Sequence, residues 1–456
     1  MKNKDHADNS LNGASTQGLG HNLGKGQKLY EHAKTIIPGG TQLFSKRPEL
    51  FAPDLWPSYY SHAKGSYVWD LDENRFLDMS LMSVGACILG YADDDVDEAV
   101  IESIKKGVNT TLNCPEEVQL AEMMLDLHPW FDMVRYSKSG GEAVSIAIRI
   151  ARAASKKEIV LFSGYHGWSD WYLSANLASD NALDGQLMPG LQPNGIPRGL
   201  IGTAESFEFN NIDSLKAKII GNENNIAAIM IEPARGELAS DNFLTELRQI
   251  ADDLNAVLIF DEITSGFRMC AGGVHREFKE KPDMAVFAKS LANGYPMSVI
   301  IGKSSVMEAA QSTFISSTNW TERTGLAAAI ATITKYQKLN VHQHIKRIGE
   351  SVKQIWESEA EKHSLNISTS GLPAIAGFTF NHENAQALQS AFTIEMLSRG
   401  ILGFKQFRPS LAHTEKEVEI YRKSVDEVFL YLTSLNELDI SNINLADSTF
   451  RKLTKE

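Results

Sequence analysis

Two apolar runs, each ending on a charged residue, constrain this chain more than any other feature. Val257-Leu258-Ile259-Phe260 closes on Asp261 and Glu262, and Met284-Ala285-Val286-Phe287-Ala288 closes on Lys289. Short apolar runs without polar alternation read as strands buried on both faces, the situation inside a mostly parallel sheet that helices cover on both sides. The surrounding chain repeats the pattern. Glu158-Ile159-Val160-Leu161-Phe162 and Ile226-Ala227-Ala228-Ile229-Met230-Ile231 read as further strands, and 243–254 reads as an amphipathic helix between two of them. The expected fold class is therefore α/β. Ligands in such sheets collect beyond the carboxyl ends of strands, where Asp261 and Lys289 stand.

A carboxylate and a lysine at two strand ends suit the chemistry of pyridoxal phosphate. The lysine amine can form a Schiff base with the cofactor aldehyde and later carry a proton, while a buried aspartate keeps the pyridine nitrogen protonated. Singly, neither residue says this, since Lys is usually a surface charge and Asp after a strand is usually a turn residue. Upstream, Ser139-Gly140-Gly141-Glu142-Ala143 opens a helix whose Ala143, Ala147, Ile150 and Ala151 share one face. Unpaired N–H groups at such an N-terminus suit a phosphate, although Ser-Gly-Gly before a helix is commonly only a cap. Tyr165, in Tyr165-His166-Gly167-Trp168, offers a face for a flat ring; aromatics beside strands are more often core.

With these motifs the chain resembles the class III aminotransferases, which have the fold-type I architecture of pyridoxal phosphate enzymes, and within them the branch of glutamate-1-semialdehyde 2,1-aminomutase. Ile37-Pro38-Gly39-Gly40, Gly65-Ser66-Tyr67-Val68-Trp69-Asp70, Tyr165-His166-Gly167, Glu232-Pro233, Gly266-Phe267-Arg268 and Ser410-Leu411-Ala412-His413-Thr414 carry the resemblance along with the motifs above. It implies that Lys289 is the Schiff-base lysine and Asp261 the partner of the ring nitrogen. Ser139, Gly140 and Gly141 match the phosphate cup, where the family usually has Thr in place of Gly141. Tyr165 matches the residue stacked on the ring, Ile263 the apolar residue behind it, and Glu232 joins the cofactor-binding set. Thr318 matches a threonine that in relatives reaches the phosphate of the neighbouring subunit, which implies a homodimer.

The resemblance also frames the substrate. The aminomutase has a carboxylate-binding arginine where this chain has Lys46, with Arg47 beside it, and Lys cannot reproduce a planar bidentate clamp. A Glu at position 237, where the aminomutase branch usually has Asn, favours transfer between two substrates. Arg235 is a candidate for a substrate carboxylate or a partner of Glu237. Trp168, Trp171 and Tyr172 are candidates for the channel wall, and ordinary packing explains them equally well. His166 is expected to be a hydrogen-bonding residue behind the site. The leading function is an aminotransferase moving nitrogen from an amino-acid donor to a ketone or aldehyde of a small polar metabolite. Behind it stand an aminomutase, a racemase or decarboxylase, and a non-catalytic protein on the same fold.

At 456 residues the chain exceeds a single core, so two lobes are expected: a large cofactor domain over 95–335 with a seven-stranded type of sheet, and a small α+β domain from 29–94 and 336–435. Residues 1–28 read as a disordered extension and 436–456 as a polar tail. A net charge of −13 argues against nucleic-acid and anionic-membrane partners and fits a cytoplasmic protein. Cys87, Cys114 and Cys270 are isolated and odd in number, which argues against a disulfide framework and a metal site.

Overall fold

The computed structural model describes residues 23–179, 181–186 and 189–447. Strands β1 (Tyr60–Lys64), β2 (Tyr67–Asp70) and β3 (Arg75–Met79) form an antiparallel meander. The hairpin of β2 and β3 is its second half. Asp70 turns it, its carboxylate accepting the N–H groups of Asp72 and Asn74 at 2.8 Å each and the Asn74 side-chain amide at 2.9 Å.

The large sheet holds β4 (Met133–Ser137), β5 (Ile159–Ser163), β6 (Ala204–Ser206), β7 (Ile226–Ile231), β8 (Val257–Asp261), β9 (Met284–Phe287) and β10 (Ser298–Gly302) in the order β4-β10-β9-β8-β7-β5-β6. The five strands from β6 to β9 in that order run parallel, and β10 is antiparallel to both β9 and β4. Alternate side chains go to alternate faces. Val257 and Ile259 pack under the helix Gly140–Ser155, and Leu258 and Phe260 pack against Phe243, Leu244 and Leu247 of the helix Asp241–Asp253. This double burial is why β8 reads as an unbroken apolar run.

Beyond the large sheet, β11 (Ile367–Ser370), β12 (Ala376–Phe380) and β14 (Gln406–Phe407) form an antiparallel sheet, and β13 (Ile401–Gly403) adds to β3 in parallel. Segments from both ends of the chain thus share one sheet. Trp356, Phe378, Phe392 and Phe429 fill the core beside it, and the Trp356 indole N–H donates to Tyr421 at 2.8 Å.

β12 starts at Ala376, because Pro373–Ile375 before it forms a 3₁₀ turn that proline enters readily. Two boundaries differ from the sequence reading. The first helix begins at Lys25, not Leu29, so residues 25–28 are not part of a disordered extension. The Lys25 N–H donates to Asp72 at 2.8 Å and the Gln27 amide to the Leu55 carbonyl at 3.2 Å, tying the helix to the hairpin. The tail after 435 includes a capped helix, Glu437–Ser441, and the Asp447 N–H donates to the Glu49 carbonyl at 2.7 Å. The rest of both terminal segments, 1–22 and 448–456, lies outside the described residues. Among the described residues no helix is long and apolar enough to cross a membrane.

Candidate active site

β8 and β9 are parallel neighbours, with Asp261 opposite Val286, so the chain leaving β9 emerges beside the Asp261 turn. Ala288 follows, and Lys289 starts a 3₁₀ turn, Lys289–Ala292, in a left-handed conformation with φ of 49°. Its amine donates to the Thr264 hydroxyl at 3.0 Å. Burial lowers that amine from 10.5 to about 8, opposed by the negative charges of Glu232 and Asp261.

Asp261 is 2% exposed, and both of its oxygens are engaged. Oδ1 accepts the Ile263 N–H at 3.0 Å and Oδ2 accepts Nδ1–H of His166 at 2.8 Å. That bond fixes the imidazole tautomer and leaves the buried Nε2 without a partner among the described residues. The expected hydrogen-bonding role of His166 is therefore directed at Asp261. Glu262 points the other way into the core, accepting from the Ser265 hydroxyl, the His275 N–H at 3.0 Å and His275 Nδ1 at 2.6 Å. It staples the turn that presents Asp261, a network that local sequence does not reveal.

The glycine turn that opens the helix Gly140–Ser155 has an equally local cause. Ser139 and Glu142 form a capping box, each side chain accepting the other's N–H, at 3.4 and 2.9 Å. The N–H groups of Gly140 and Gly141 have no acceptor among the described residues. A β-carbon on Gly140 would sit 2.9 Å from Ile263 Cδ1, and one on Gly141 would sit 3.0 Å from Trp168 Nε1. The position where the family usually has Thr is thus occupied by the indole of Trp168, which is 70% exposed. Tyr165 gives its N–H to Glu232 at 2.9 Å and meets Tyr172 edge-on at 5.9 Å.

Other expected residues lie apart. Arg235 pairs with Glu232 at 3.5 Å rather than with Glu237, which accepts from Asn210 at 3.2 Å. Trp171 and Tyr172 are buried against Phe162 and His166, which makes them core instead of channel wall. Lys46 is exposed, and Arg47 lies over the Phe44 ring at 4.8 Å and against Gly39. Thr318 is exposed on the 3₁₀ turn Thr318–Thr321. Two arginines given no role by sequence, Arg268 and Arg408, both act electrostatically on Lys289.

A lowered lysine amine, a buried carboxylate and a glycine cradle with free N–H groups fit pyridoxal phosphate, and with this sheet they define a fold-type I enzyme of that cofactor. The aminotransferase class-III pattern matches residues 53–426, and the chain belongs to that family; it is a pyridoxal-phosphate-dependent aminotransferase. It is 31% identical over 426 residues to the 3-aminobutyryl-CoA aminotransferase of Cloacimonas acidaminovorans, covering 89% of this chain and 98% of the relative. It is also 31% identical over 434 residues to the glutamate-1-semialdehyde 2,1-aminomutase of Ruminiclostridium cellulolyticum, with 90% and 98% covered. Among solved structures, the FumI protein of Sphingopyxis sp. MTA144 shares the fold at a TM-score of 0.83 and 24% identity, covering 93% of this chain and 99% of its own. An omega-transaminase from Sphaerobacter thermophilus does so at 0.78 and 24%, covering 90% and 98%.

Proposed function

We propose that Lys289 is both the covalent anchor of the cofactor and the base of amino transfer, with Asp261 facing the ring nitrogen. The observation that carries this reading is the pairing of an enclosed amine, lowered to about 8, with a buried carboxylate beyond the ends of adjacent strands. When bound, pyridoxal phosphate supplies an aldehyde that receives the amino group and a ring that delocalises the charge left by the departing proton. The remaining work falls to the chain. Nζ of Lys289 takes the proton from the substrate carbon that bears nitrogen and gives it back within the same cleft, so no outside base is needed. The Asp261 carboxylate, oriented by Nδ1–H of His166 and the Ile263 N–H, presents a fixed, buried negative charge. Tyr165 and Ile263 flank the ring, Glu232 holds the Tyr165 backbone, and the N–H groups of Gly140 and Gly141, with Ser139, take the phosphate.

The donor is an amino acid and the acceptor a ketone or aldehyde of a small polar metabolite; Glu237 in place of the aminomutase branch's Asn favours this over internal rearrangement. The aminomutase relative supports rearrangement as the second reading. A homodimer completes each site through Thr318. Its support is the surface beside the cup, where Phe314, 83% exposed, and Trp168 flank a 400 Å³ cavity that Gly141, Arg149 and Ser316 also line. The acidic charge and isolated cysteines support a cytoplasmic location.

The purified protein should show a visible absorption band that an amino-acid donor bleaches and a keto acid restores. Lys289→Ala should lose turnover and the lysine-linked band while keeping its far-ultraviolet circular dichroism; activity within a few-fold of wild type would remove Lys289 from both roles. A band that no donor bleaches, in a protein that rearranges a single substrate, would favour the aminomutase.

A further inference from the structure

Backbone conformation does not require the glycine at 141. It stands in the first turn of the helix Gly140–Ser155 with φ outside the left-handed region, where other residues fit and glycine is a poor helix former. What excludes a side chain is Trp168. A β-carbon at 141 would lie 3.0 Å from Nε1, 3.2 Å from Cδ1 and 3.9 Å from Cε2 of the indole, the first two closer than ordinary van der Waals contact. The edge of the indole that carries its only hydrogen-bond donor therefore faces position 141. A threonine side chain at 141 and the Trp168 N–H are alternatives for one place beside the turn.

Packing on either side of Trp168 delivers the indole there. Gly167 has φ of 98°, and a β-carbon on it would lie 3.2 Å from Cα of Gly141, so the loop after β5 crosses the helix turn at a distance that suits glycine. On the other side the Ser145 hydroxyl donates to the Gly141 carbonyl at 2.8 Å and thus accepts from the Ser169 hydroxyl at 2.6 Å. Trp168 is held between these two contacts. Its Nε1–H is committed to no acceptor among the described residues, so it joins the N–H groups of Gly140 and Gly141 as a third donor at this turn.

We propose that Trp168 is a cofactor-binding residue whose indole N–H donates to a phosphate oxygen, in the place that a threonine side chain at 141 would take. A phosphate strengthens any donor aimed at it because the bond is charge-assisted. One loop then serves both ends of the cofactor, Tyr165 at the ring and Trp168 at the phosphate, and Gly141 is glycine to admit the indole. This role rests on the reading in which the turn at Gly140 and Gly141 takes the phosphate.

The test titrates the cofactor-free protein with pyridoxal phosphate and with pyridoxal, which lacks the phosphate, and reads binding by absorbance. Trp168→Phe keeps an aromatic ring and loses the donor. It should weaken pyridoxal phosphate by about tenfold, the scale of a hydrogen bond to a charged group, and leave pyridoxal within about twofold of wild type. Trp168→Ala should show the same selective loss. Adding Gly141→Thr to it should restore most of the affinity, whereas adding Gly141→Val, of the same shape without the hydroxyl, should not. Unchanged pyridoxal phosphate affinity in Trp168→Phe overturns the proposal. Equal losses for both ligands also overturn it and leave Trp168 a packing residue of the loop, as does restoration by both or by neither of the substitutions at 141. If Trp168→Phe does not fold, the wild type decides: inorganic phosphate added to the cofactor-free protein should move one of the seven tryptophan indole N–H resonances, and pyridoxal alone should not. No movement overturns the proposal. A wild type that binds pyridoxal as tightly as pyridoxal phosphate refutes the phosphate reading of the turn itself, a different failure that removes the role of Trp168 with it.

Discussion

The proposed role of Lys289 requires a neutral amine to attack an aldehyde, and partial burial brings that state close to physiological pH. The amine is protonated below about 8 and neutral above it. Covalent capture of pyridoxal phosphate by the cofactor-free protein should therefore rise about tenfold per pH unit up to that value and level off above it. Stopped-flow absorbance across pH 6 to 10 checks this, and a rate still climbing toward the ordinary lysine value of 10.5 would mean the amine is not enclosed. Asp261→Asn should keep the cofactor but slow single-turnover deamination by about a hundredfold, because a neutral amide no longer holds the ring's proton. Unchanged deamination would move the ring partner elsewhere. The placement of Lys289 and Asp261 at the ends of adjacent strands was legible because each interrupts an apolar run at its end. Gly141 was legible only as an anomaly, since Trp168 fills the space beside it from 27 residues downstream, the difference of 168 and 141. Arg268 and Arg408 were not legible as neighbours of Lys289, because only the folded chain brings both close enough to act on its amine.

Elements whose pattern is fixed by burial on both faces were readable, and those fixed by distant partners were not. β7 spans the expected 226–231, and the helix expected at 243–254 is Asp241–Asp253. The reversal of β10 left no local sign: Ser298–Gly302 is buried throughout like the mutually parallel strands β7, β8 and β9, and its direction is set by antiparallel pairing with β4 and β9. The union of β3 with β13 is equally non-local. Close approach between elements was also hidden. The helix Val341–Lys362 crosses the turn Pro373–Ile375 so tightly that a β-carbon on Gly349 would lie 1.9 Å from the Pro373 carbonyl oxygen. Because that neighbour is backbone, Gly349→Ala should destabilise the protein by about 1–3 kcal/mol despite alanine's better helix propensity. Urea unfolding of the cofactor-free protein measures this against the exposed neighbour Glu350→Ala, and equal midpoints would show that the two elements separate easily.

At the scale of the whole molecule, the proposed homodimer bears on the glycine turn at Gly141. Its own backbone offers the N–H groups of Gly140 and Gly141, and no threonine hydroxyl stands at 141. The turn Thr318–Thr321 is mounted nearby and held firmly: Asn109 donates to the Thr318 carbonyl at 3.3 Å, and the Trp320 indole donates to Glu142 at 3.3 Å. The Thr318 hydroxyl has no hydrogen-bond partner among the described residues. Exposed Phe314 and Trp168 on the same surface are costly in a monomer and are covered if a second copy docks there. Docking of that kind lets each Thr318 complete the partner's cup, since a buried phosphate needs donors for its oxygens. Thr318→Val should then weaken cofactor retention in equilibrium dialysis without changing the dimer in sedimentation. A mixed dimer of one Lys289→Ala chain and one Thr318→Val chain separates the two possibilities. If Thr318 serves the partner, one site carries both defects and the other neither, so the mixed dimer should show about half of wild-type turnover with wild-type cofactor affinity at its working site. If Thr318 serves its own chain, one site lacks the lysine and the other holds cofactor weakly, and turnover at low cofactor should fall to that of the Thr318→Val parent or below.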